Sequence, residues 1–94
     1  MGLIERLYEA ADRAGLLVIA DVEGRSVAVD FSSADETVLD GLLRAADYTI
    51  RFPASALPEL ATGHTLSIAG VTYQVRDVRS IGDGSERRAD LSRL

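Results

Sequence analysis

The stretch TGHTLSIAGVTYQVRDVRSIGDGSERRADL, residues 62–91, reads as a β-meander with its turns written in. Leu66 and Ile68 alternate with Ser67 and Ala69, Gly70 marks a tight turn, and Val71, Tyr73 and Val75 alternate with Thr72 and Gln74. A two-residue loop at Ala69-Gly70 sets Ile68 opposite Val71 and Leu66 opposite Tyr73. Opposed residues share a face, so the apolar side chains of this hairpin all fall on one side. Beyond Val75 the phase slips, because Val78 and Ile81 follow at intervals of three rather than two. A β-bulge near Arg76-Asp77 absorbs such a slip and bends the strand. Nothing in the run is arranged for chemistry.

The same logic extends upstream. Residues 16–22, a Glu23-Gly24 turn and residues 25–31 form a second hairpin that pairs Ala20 with Val27, Val18 with Val29, and Leu16 with Phe31. One apolar face results again, and agreement between two hairpins is stronger evidence than propensity in either. Before them, residues 3–14 place Leu3, Leu7, Ala10, Ala11 and Ala14 on one helical stripe, with Ile4 and Tyr8 beside it and Gly15 at the stop. Tyr48, Ile50 and Phe52 alternate with Thr49 and Arg51 until Pro53 ends the strand. Residues 55–61 read as a single helical turn with Ser55 as N-cap, closed by Gly63. The last strand, 86–91, is weakly patterned and expected at an edge. Residues 32–47 are less legible: SSADET is an acidic loop, and VLDGLLRAAD fits both a short strand around Gly41 and a helical turn. The expected core is Val18, Ile19, Val27, Val29, Phe31, Ile50, Phe52, Leu66, Ile68, Val71, Tyr73 and Val75. One helix and about six strands argue a mainly β protein, a small antiparallel barrel or sandwich. It would form one domain over residues 1–94, with the helix in 1–15 and the barrel in 16–94.

Composition bounds the function. Ninety-four residues support one modest core and no deep cleft. There is no cysteine, so no disulfide or cysteine-ligated metal holds the fold. No apolar run approaches the ~18 residues of a membrane span, and Glu5 and Glu9 interrupt the N-terminal apolar residues as no signal peptide would allow. A soluble cytoplasmic product without membrane contact is expected. The net charge is −5, all ten basic residues are arginine, and none cluster in sequence beyond Arg87-Arg88. That argues against specific nucleic-acid binding, which needs grouped cations.

Candidate catalytic groups fare poorly. His64 is the only histidine and stands in a turn, better read as a solvent-facing residue than a general base. Ser32-Ser33 reads as turn chemistry. The GDGSE run, residues 82–86, lacks the repeated ligands of a calcium loop, and Gly82 and Gly84 precede no Lys-Ser/Thr, so it is neither a metal nor a phosphate loop. Tyr48, Tyr73, Phe31 and Phe52 sit in phase with the core. No enzyme, metal or cofactor is expected.

Taken together, Tyr48-Thr49-Ile50-Arg51-Phe52, the Leu57-Pro58 turn, Gly63-His64-Thr65-Leu66-Ser67-Ile68, the run from Gly70 to Val78 and the Gly82-Asp83-Gly84 turn carry a resemblance. The chain resembles the head-to-tail joining (head-completion, or neck) proteins of lambda-like tailed phages and prophages, over about residues 16–91. His64 stands where that family more often has aspartate, and the N-terminal helix is a region that varies among relatives. The resemblance implies a virion protein present in the host cytoplasm during assembly. Such a protein is a barrel that is monomeric or weakly oligomeric in isolation and becomes a homo-oligomeric ring at the portal vertex. Its implied partners are a portal or adaptor protein and a tail-terminator protein. Contact surfaces are then expected where polar segments interrupt the core pattern: residues 32–47, the 81–86 hairpin and the outer face of the helix. Ser33, Asp35, Glu36, Asp40, Arg44, Asp83, Ser85 and Glu86 are the candidate interface residues.

The alternative, from another class, is an SH3-like or OB-like binding module for a peptide or nucleic acid. Such a module shows exposed aromatics or clustered arginines on one face. Here the aromatics are in core phase and the arginines are dispersed along the sequence, which disfavours it.

Overall fold

The computed structural model describes residues 2–33 and 48–94. Its elements are α1 (Leu3–Arg13), β1 (Val18–Val22), β2 (Arg25–Ser33), β3 (Tyr48–Pro53), β4 (Thr65–Ile68), β5 (Val71–Ile81) and β6 (Glu86–Arg93). The turns set the register. Glu23 and Gly24 have φ of 52° and 85°, Ala69 and Gly70 of 52° and 81°. Two successive positive φ angles define the hairpin turn whose twist matches that of its strands, and glycine at the second position adopts it without strain. The expected pairs follow: Ala20↔Val27 and Val18↔Val29 in one hairpin, Ile68↔Val71 and Leu66↔Tyr73 in the other. The register shift between Val75 and Asp77 is the bulge that the slipped pattern calls for.

The strands close into a barrel in the order β1-β2-β3-β6-β5-β4, every pairing antiparallel. Each strand has a neighbour on both sides, though β5 runs to Ile81 beyond its last β4 pair at Gln74, and β2 meets β3 only from Asp30 onward. The joint between β1 and β4 is short, with Ala20↔Ile68 and Asp21↔Ser67 as its only register pairs. Inside, Val29, Ile50, Phe52, Val75 and Leu91 are fully buried. At one end of the barrel, Leu57 and Leu60 from the β3–β4 connection are buried into the core cluster. At the other, Phe31, Tyr48 and Tyr73 pack ring on ring with centroids 5.0–5.8 Å apart.

Several expectations are corrected. The last strand is no edge: β6 lies between β3 and β5, and Ala89, Asp90 and Leu91 are buried. Ile19, 50% exposed, alternates outward from Ala20 and is not core. Val18 pairs with Val29, but β4 covers β1 only from Ala20 onward, so Val18 stays 37% exposed. Leu16 does not pair with Phe31, whose partner is Ile50. Its amide instead donates to the Ala11 carbonyl, so it belongs to the stop of α1. Val27, Phe31 and Val71 are half-buried against the core rather than within it. Residues 55–61 form turns rather than a helical turn, with three-residue bonds from Ala56 to Pro53 and from Leu60 to Leu57, so Ser55 caps no helix there. The two readings of VLDGLLRAAD fall outside the described residues.

Candidate functional site

Helix α1 lies across the outside of β2 and β3. Not one of its 11 residues is fully buried. Ile4, Tyr8 and Ala11 are half-covered while Leu3 and Leu7 remain exposed. Two polar bonds do the holding. The Tyr8 hydroxyl donates to Glu86 Oε2 at 2.5 Å, and the Ser55 hydroxyl donates to Glu5 Oε2 at 2.6 Å. Partial burial, then the Glu86 carboxylate, pushes the Tyr8 phenol well above its ordinary pKa. The Ser55 hydroxyl bond holds the Glu5 carboxyl below its usual range.

The outer face of the barrel carries a feature that a linear reading of the sequence misses. Register puts Arg51 of β3 opposite Arg88 of β6, and Arg88 opposite Arg79 of β5. Three arginines that are dispersed in sequence thus form one row across three strands, and Asp30 of β2 extends it. Each has a carboxylate: Arg51–Asp30 at 3.1 Å, Arg79–Asp77 at 2.6 Å and Arg88–Asp90 at 3.2 Å. Arg79 bonds lower the Asp77 pKa and raise its own. The exposed pairs among these are screened by solvent and contribute little stability. The only sequence signal was an arginine in outward phase on each of three strands, and it becomes a row once strand order is known.

The candidate interface residues divide between the barrel's two ends. Ser33 pairs with Tyr48 where β2 ends, on the aromatic side. Asp83 and Ser85 lie exposed in the β5–β6 turn at the opposite end, where Pro53 pairs with Glu86. The Asp83 carboxylate accepts the Ser85 amide at 3.0 Å and its hydroxyl at 2.7 Å, which lowers its pKa. Glu86 is half-buried and committed to Tyr8. Asp35, Glu36, Asp40 and Arg44 lie outside the described residues.

His64 sits at the wall of a cavity of about 30 Å³ lined with Val22, Leu57 and Leu60, space for little more than a water molecule. The Ala61 amide approaches its Nδ1 at 3.4 Å. Among the described residues, no group of His, Asp and Glu could hold a metal ion, and no buried side-chain polar atom lacks a partner. These features define a small closed barrel whose charged side chains lie on its outer surface.

Comparison with known families narrows the class. The family model described as Phage Head-Tail Attachment protein matches residues 4–91, from α1 into β6, and the chain belongs to that family. It is therefore a phage structural protein of the head-tail junction. No curated protein matches the chain.

Proposed function

We propose that this chain completes the phage head and joins it to the tail as one member of a homo-oligomeric ring at the portal vertex. The observation that carries the reading is the family match over residues 4–91, from α1 into β6. The fold supports it: closure of the sheet limits edge-to-edge pairing between copies, so the chain stays a monomer or weak oligomer in isolation until other surfaces bring copies together. The interface residues on opposite ends, Ser33 at one and Asp83 and Ser85 at the other, suit a connector that meets a portal or adaptor protein on one side and a tail-terminator protein on the other. The net charge of −5 suits a ring that DNA passes without adhering. The site of action is the virion, reached from the host cytoplasm.

The test is a phage lacking this gene. Filled heads and free tails should accumulate separately, and adding the purified protein to the lysate should restore infectious particles. Joined particles in the untreated mutant lysate would sink the reading. The binding-module alternative draws on one observation, the row of Arg51, Arg88 and Arg79. Each of these is already matched by an aspartate, so the row lacks the unpaired charge a nucleic-acid surface uses. Tight, salt-sensitive DNA binding in a gel shift would favour it.

A further inference from the structure

At one corner of the closed barrel, β2 parts from β3. A two-residue turn is flanked by a hydrogen-bonded pair, so Val22↔Arg25 and then Ala20↔Val27 exchange main-chain bonds across the first hairpin. By the same alternation, the amides and carbonyls of Ser26, Ala28 and Asp30 point the other way, toward β3. Register with β3 begins only at Asp30↔Arg51. The next bonded pair would be Ala28 with Pro53, and proline has no amide proton to give the Ala28 carbonyl. The Pro53 carbonyl accepts the Ala56 amide at 2.9 Å, which turns the chain aside. No main-chain group of the described residues after Pro53 bonds the amide or carbonyl of Ser26.

This open length of β2 borders a groove of about 370 Å³ beside α1. Val27, Ala28, Pro53 and Ala56 are its apolar lining, and the Arg25 guanidinium bridges to the Ala56 carbonyl at 3.0 Å. From α1 come Glu5, Glu9 and Asp12, so the groove carries three carboxylates against one guanidinium. Glu5 is bonded by Ser55, while Glu9 and Asp12 are exposed. Outward main-chain donors and acceptors on a strand edge are the complement of another extended chain. The negative balance of the lining selects a chain that brings a basic side chain. Every strand among the described residues already belongs to its own barrel, so none of them is a spare segment that a second copy could lend.

We propose that an extended segment of another head-tail junction protein, bearing a lysine or arginine, adds to β2 as a short strand in this groove. Ser26 and Ala28 bond its main chain, and Glu9 and Asp12 take its basic side chain. The inference rests on the head-tail reading above and adds to it the surface used and the kind of segment held.

Hydrogen exchange resolved to single amides compares the dilute protein, the concentrated protein and tailed particles. The Ser26 amide should exchange at least about tenfold more slowly in particles than in either solution. Equal rates in all three would overturn the proposal. Protection in the concentrated protein alone would mean that a second copy fills the groove, which also overturns it. Absence of the chain from tailed particles would overturn the head-tail reading itself. A variant with Glu9→Lys and Asp12→Lys reverses the wall and leaves the strand edge intact. With its urea midpoint unchanged, its yield of joined particles should fall about tenfold, the effect of losing one charge-assisted bond. Full joining by that variant would overturn the assignment of a basic segment.

Discussion

The barrel and the helix laid across it are held by opposite means. Five barrel side chains, Val29, Ile50, Phe52, Val75 and Leu91, are sealed from water, and Leu57 and Leu60 are buried with them. Helix α1 seals none, and relies on two hydrogen bonds and the half-covered Ile4, Tyr8 and Ala11. Burial of apolar area is cooperative and dominates stability, whereas a single hydrogen bond adds only about 0.5–1.5 kcal/mol net. The difference teaches that the fold is the barrel, and that α1 is an attachment whose position depends on a few named atoms.

The most severe way to break the barrel side is Ile50→Ala. With the side chain fully buried, the loss should be about 2–5 kcal/mol in urea unfolding. A loss below ~1 kcal/mol would mean that the interior is looser than its packing. On the helix side, Tyr8→Phe removes the bond to Glu86 and should cost about 1–2 kcal/mol of helix docking. Hydrogen exchange should then speed up across α1 and stay unchanged in β3 and β6; uniform acceleration would show that helix and barrel unfold together. Ile19→Ala, on an outward side chain, should stay within about 0.5 kcal/mol of the parent protein. Should Ile19→Ala instead impair tail joining without altering stability, that residue belongs to a contact with another protein.

The smallest effect is on pH. The Ser55 bond depresses the folded pKa of Glu5, so the contribution of this carboxylate is present at neutral pH and is lost as pH falls through the lowered pKa. Following α1 amide shifts by NMR during acid titration should show the N-terminal turn loosening before the barrel, and Ser55→Ala should return the Glu5 midpoint toward the ordinary glutamate value. An unmoved midpoint would remove Ser55 as the cause.

Much of the barrel was legible because its information is local. Period-two alternation and the Glu23-Gly24 and Ala69-Gly70 turns determine both hairpin registers, and the interval of three after Val75 marks the bulge. What escaped depends on closure. The position of β6 between two neighbours follows from pairings with β3 and β5, and nothing in ERRADLSR announces them. The exposure of Val18 follows from where β4 begins to cover β1. The surface was least legible: Arg51, Arg79 and Arg88 are far apart in sequence and become neighbours only across three strands. The chemistry of Glu86 was also hidden, since its partner Tyr8 lies 78 positions away.

The short joint between β1 and β4 has a kinetic meaning. A closed cylinder loosens where the fewest bonds must part, and this seam has just Ala20↔Ile68 and Asp21↔Ser67 to hold it. The seam joins residues 46 and 48 positions apart in sequence, Asp21 with Ser67 and Ala20 with Ile68, which makes it late to form during folding as well as early to open. The barrel thus has a zip, and the amides of Asp21 and Ser67, which face across it, would be the first along its wall to exchange with solvent.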